Sequence, residues 1–96
     1  MRDYETNLIY SKKVVVSEGK EKELYLKYYL IASEKNNSTA TYGIQVIMEN
    51  DKGGFEKAFI PDVLPSKRGI NNLIYLLYSN SVTPVSVYDV IYDCIA

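Results

Sequence analysis

Four stretches of the chain carry the apolar patterning of strands, and two later stretches repeat at helical spacing. The first strand is expected over 8–16 and ends in the β-branched run Val14-Val15-Val16. A polar connection over 17–22 follows, with Gly19 available for a positive φ. The second strand, over 23–33, divides at period two. Leu24, Leu26, Tyr28, Leu30 and Ala32 share one face, and Tyr25, Lys27, Tyr29 and Ile31 share the other. The leucine face is the expected core side. A polar turn over 34–38 leads to a third strand over 39–49, where Tyr42, Ile44, Val46 and Met48 oppose Gly43, Gln45, Ile47 and Glu49. The clearest hairpin signal is Asn50-Asp51-Lys52-Gly53-Gly54. It returns the chain into a short strand over 55–60, which Pro61 stops or marks as an edge. Three short connections in succession favour an antiparallel meander, because parallel pairing needs long crossovers.

After Pro61 the period changes. Ser66 is the expected N-cap of a first helix, with Ile70, Leu73, Ile74 and Leu77 at helical spacing and Tyr78 beside them. Gly69 costs about 1 kcal/mol of helix propensity, so a loose first turn is expected. Asn80 suits a left-handed position just past the helix end. A second helix is expected from Thr83-Pro84: threonine caps, proline takes the first helical position, and Val82 staples onto Val87. Ser86, Asp89 and Asp93 fill one narrow polar wedge, and nearly all the remaining circumference is apolar. A helix lying on a sheet needs an apolar stripe of only ~100° or somewhat more. The sheet and the first helix can cover much of the excess, and what they leave exposed points to a contact with another protein, an unidentified partner or a second copy of the chain. Cys94, near the end of that pattern, is expected to be a small buried hydrophobe. The fold class is therefore α+β: a four-stranded antiparallel β-meander followed by two C-terminal α-helices packed on one face, in a single domain of residues 1–96.

Composition then narrows the chemistry. Eleven basic residues nearly balance twelve acidic ones and 47% of residues are hydrophobic, which fits a globular chain and not a disordered one. There is no histidine and one cysteine. That removes Ser-His-Asp and Cys-His catalysis, an internal disulfide, and any zinc site assembled by one chain. Asp89 and Asp93 face the same way, but two carboxylates supply too few oxygens for a hard cation. Gly19-Lys20 and Gly53-Gly54 lack the spacing of a phosphate-binding loop. No catalytic residue, cofactor or metal ligand is assigned, and the expectation is a protein that is not an enzyme. Met1-Arg2-Asp3-Tyr4-Glu5 leads into no apolar segment and nothing approaches ~18 apolar residues, so no membrane contact and a cytoplasmic location are expected. Asn36-Asn37-Ser38 reads as a polar turn, not a glycosylation site.

Ten tyrosines remain to be placed. Tyr25, Lys27 and Tyr29 project from the sheet side opposite the leucines. Tyr75 falls opposite the apolar stripe of the first helix, with Arg68 beside it. An aromatic among polar neighbours has the character of a contact hot spot, because tyrosine adds area at low entropic cost. A non-catalytic protein-interaction module is the expected function, with these five residues as candidate surface. The alternative is a single-stranded nucleic-acid binder that stacks bases on the tyrosines and meets phosphate with lysine. No aromatic-glycine RNA-binding motif or basic stripe accompanies them, and the net charge is −1, so nucleic acid is the lesser reading.

Tyr42-Gly43-Ile44, the hairpin after it, Val82-Thr83-Pro84, and Asp89-Val90-Ile91 with Asp93 resemble a small family of roughly hundred-residue uncharacterised proteins of clostridia and related Firmicutes. The likeness runs from about Tyr25 to the C-terminus. It implies a bacterial, cytoplasmic, stand-alone domain and brings no catalytic or binding residues with it.

Overall fold

The structure, a computed structural model, describes residues 4–35 and 39–95; the Asn36-Asn37-Ser38 turn lies outside them. Strands β1 (Tyr4–Glu18), β2 (Lys20–Lys35), β3 (Thr39–Asn50) and β4 (Phe55–Leu64) form one sheet in the order β1-β2-β3-β4. Every neighbouring pair is antiparallel. Helices α1 (Lys67–Ser79) and α2 (Val87–Ile95) follow. This is the expected α+β meander.

Its strands are longer than the apolar pattern. The polar stretch over 17–22 belongs to the ladder: Glu18 pairs with Lys20 around Gly19, whose φ is +84°. Charged residues do not end a strand whose backbone groups are already paired. The turn after β3 closes on Asn50, whose Oδ1 accepts from the Lys52 and Gly54 amides at 2.9 and 2.8 Å, with Gly53 at φ +84°. Pro61 does not stop β4, which runs on to Leu64 as an edge strand, where a missing N–H is tolerated. The register slips there. Between Tyr42↔Leu64 and Ile44↔Ile60, two steps along β3 match four along β4. Gly43 permits this crossing, because a Cβ on it would lie 2.6 Å from the Pro61 Cα and against the Ile60 carbonyl.

The core sits on the leucine face of β2. Leu26, Tyr28 and Leu30 meet Ile44 and Val46 of β3 and the apolar stripe of α1, with Val82, Val87 and Ile91 completing the cluster. Each such aliphatic side chain contributes about 1.5–3 kcal/mol on burial. Tyr28 is fully buried, and its hydroxyl donates to the Val82 carbonyl at 2.9 Å. Burial pushes that hydroxyl up to about 12.

The helix ends explain why the chain turns where it does. Ser66 Oγ accepts from the Gly69 amide at 3.0 Å, so the first turn of α1 is closed by its cap and not loose. At the other end the left-handed residue is Ser81 (φ +51°), not Asn80 (φ −100°). Asn80 instead uses its side-chain amide to donate to the Leu76 carbonyl at 2.8 Å. Ser81 N–H to Tyr78 O and Val82 N–H to Leu77 O then form a Schellman pair, with Val82 and Leu77 both buried. Lys12 on β1 donates to the Tyr78 carbonyl at 2.9 Å, placing a cation at the negative helix end. Regular α2 geometry begins at Val87, later than Thr83-Pro84. The Ser86 and Val87 amides both bond the Thr83 carbonyl, and the shorter of these loops tightens the first turn. Cys94 is exposed, not buried. Tyr92 and Asp93 are exposed with it, so the last turn of α2 overhangs the layer that buries Val87 and Ile91.

Candidate functional site

Among the described residues the helices pack on the leucine face, and the other face of the sheet is neither polar nor flat. Register sets its side chains in rows across the strands. One row is Lys13, Tyr25, Glu49 and Phe55; the next is Ser11, Lys27, Ile47 and Lys57; the third is Leu8, Tyr29, Gln45 and Phe59. Aromatic rows thus flank a lysine row. Tyr25 and Tyr29 stand on the face expected for them, with Lys27 between. Phe55 is 64% exposed, and Leu8, Tyr25 and Phe59 are also exposed. An open groove of about 310 Å³ runs at the hairpin side of this face, along 11–13 and 25–27.

Two irregularities curl the sheet. One lies between Leu8 and Tyr10 in β1 and the other between Tyr42 and Ile44 opposite β4. In a flat sheet three strand spacings would hold β1 and β4 about 14 Å apart. Yet the rings of Tyr4 on β1 and Phe59 on β4 meet edge to face with centroids 5.6 Å apart. Their diagonal passes over Ile31, which is 1% exposed although it lies outside the main core cluster. Beyond it Asp62, at φ +58°, accepts from Ser33 Oγ at 2.8 Å and from Thr41 Oγ1. Ser33 is buried, and this carboxylate pins the β4 bulge across β3 to β2. The face is a trough closed at one end by the Tyr4–Phe59 pair and open at the other.

Of the lysines in these rows, Lys13 and Lys27 are paired with carboxylates and Lys57 is set against a ring. Lys13 Nζ lies 2.9 Å from Glu23, which also accepts from the Tyr25 hydroxyl at 2.8 Å. The hydrogen bond from Lys13 holds the Glu23 carboxyl below its ordinary value, and the bond to Glu23 raises Lys13 and Tyr25. Lys27 Nζ is 3.7 Å from Glu49. Lys57 stands 5.9 Å from the Phe59 ring centroid. Among the described residues no group of three or more His, Cys, Asp or Glu gathers as a metal site. No helix among them is long and apolar enough to cross a membrane.

The other two candidate residues are elsewhere. Arg68 and Tyr75 are exposed on α1, a helix packed on the leucine face, so the structure does not bring them to Tyr25, Lys27 and Tyr29. Tyr75 borders Tyr10 and Tyr78 with centroids 6.0 and 6.4 Å away, while Tyr10 stacks on Tyr78 at 4.5 Å. Tyr88 and Tyr92 on α2, with Val85 in the turn before it, form a short exposed stripe. Phe55, Phe59, Leu8 and Tyr4 escaped the sequence reading. In β4 both period-two sets hold apolar residues, Phe55 and Phe59 against Ala58 and Ile60. The smaller set faces the helices, and only the register with β3 decides that.

Residues 5–96 match the family described as "Family of unknown function (DUF6514)", and the chain belongs to it. No curated protein and no solved structure matches it.

Proposed function

We propose that this member of the DUF6514 family is a non-catalytic interaction module that acts through the open face of its sheet. The observation that carries the reading is an aromatic and aliphatic trough, left uncovered by the described chain, with two of its three lysines paired to carboxylates. Large exposed apolar patches rimmed by polar residues mark contact surfaces. A cytoplasmic location and a clostridial or related Firmicute range belong to the same proposal and rest on the likeness of Tyr42-Gly43-Ile44 and Val82-Thr83-Pro84. A single-stranded nucleic acid is the weaker occupant, because Lys13 and Lys27 are engaged by Glu23 and Glu49 and give little net attraction for phosphate.

Hydroxyl-radical footprinting tests the surface without naming its partner. The protein is labelled dilute and purified, then again in extract of its native cells. Protection of Tyr25, Tyr29, Phe55 and Phe59 in extract is expected, with Tyr75 and Tyr92 unchanged. Equal labelling of the trough in both samples, and at every concentration of the purified protein, overturns the reading.

A further inference from the structure

We infer that the occupant of the trough is a second copy of this chain, the two open faces packing as an aligned β-sandwich dimer. The inference rests on reading the open face as the contact surface, and three observations add the partner. The first is area. Phe55, Leu8, Val15, Tyr4, Tyr25 and Phe59 are each exposed by between 38% and 64%. At ~150–250 Å² for a fully exposed aromatic and less for Leu or Val, these six leave roughly 500 Å² of side chain open. Interfaces are about 60–65% apolar, so that area corresponds to a footprint near ~800 Å² per partner, the size of a standard stable interface. The stripe of Tyr88 and Tyr92 on α2 with Val85 just before it offers roughly two-thirds as much and falls short of that size.

The second observation is charge. Lys13 with Glu23 and Lys27 with Glu49 are balanced within one chain, and Lys57 alone adds a net charge to the rows, so the face is close to neutral and repels itself little. An acidic or basic partner would have to break those pairs for no net gain. The third is shape. Both faces of this sheet carry apolar rows, and a sheet with two apolar faces needs a layer on each. Helices supply one layer here. Another sheet about 10 Å away supplies the second, and a two-fold operation lets one surface serve as both partners.

Sedimentation equilibrium on the full chain, from low micromolar to several hundred micromolar, tests this. The expected mass rises to twice the 11.0 kDa of the monomer. Phe55→Ser and Tyr25→Ser are each expected to raise the concentration for half-association at least tenfold, while Tyr92→Ser leaves it unchanged. Wild-type footprinting over the same range serves as a readout that no misfolded variant can imitate, with protection of Tyr25 and Phe55 growing with concentration. A monomer at every concentration overturns the inference, as does a dimer that survives both trough variants and is lost in Tyr92→Ser. A purified monomer whose trough is nevertheless protected in extract overturns only the second copy and leaves the contact surface standing.

Discussion

Strand β2 shows both faces of the sheet at once. Its even residues Leu26, Tyr28 and Leu30 lie in the helix-covered core, while its odd residues Tyr25, Lys27 and Tyr29 line an open trough. The first set is wholly hydrophobic and the second holds a lysine between two tyrosines; one is sealed by α1 and α2 and the other only by the curl of its own sheet. Burial by a separate layer stabilises the fold. Partial closure by edge strands leaves apolar area free for contact.

Deletions of similar kind on the two faces sharpen that contrast most. Ile44→Ala empties a fully buried site under the helices and is expected to cost about 2–5 kcal/mol in urea unfolding. Phe55→Ala removes a larger side chain from the open face and is expected to cost under ~1 kcal/mol in dilute protein. Equal costs would erase the distinction. Next is Gly43→Ala, on the seam where the curl is made. Its Cβ meets backbone of Ile60 and Pro61, and a loss of about 2–3 kcal/mol is expected by the same measurement.

Tyr28→Phe is smaller, at about 1–2 kcal/mol, because it leaves the buried Val82 carbonyl without its donor. It also carries a pH signature. The folded hydroxyl is pushed up to about 12 against an unfolded value near 10, so between them the folded state holds a proton that the unfolded state has lost. That stability is fully present below pH 10 and is lost as pH rises toward 12. Chemical unfolding from pH 9 to 11.5 should show a steeper decline in wild type than in Tyr28→Phe. Smallest is Gly69→Ala in the first turn of α1. A Cβ there meets nothing closer than 3.5 Å, so helix propensity should raise stability by about 0.5–1 kcal/mol in thermal unfolding.

Much of this was legible in the residues, and the exceptions have physical reasons. Period-two alternation in β2 separated the core set from Tyr25, Lys27 and Tyr29, because a strand has only two faces. The Asn50–Gly54 turn and the Ser66 cap were readable from side-chain chemistry that acts over a few residues. The extent of β4 was not, since Pro61 reads as a stop until Gly43 is known to lie beneath it. Nor was the side on which Phe55 and Phe59 fall, which depends on pairing with β3. Asn80 has the chemistry of a left-handed cap, but its amide reaches Leu76 and passes that conformation to Ser81. Cys94 keeps the spacing of a core residue at a point where the layer beneath the helix has ended. In the candidate site, the tyrosines and lysine of one strand were visible, and the curl that makes a trough of them was a tertiary result.

The most direct test of a sheet with one structural face and one contact face is urea unfolding of the Tyr25→Ser/Phe55→Ser double variant beside wild type, at a concentration low enough to keep both monomeric. Stabilities agreeing within about 1 kcal/mol are expected, as for exposed positions. A loss of several kcal/mol, comparable with Ile44→Ala, would contradict it and make the open face a second core.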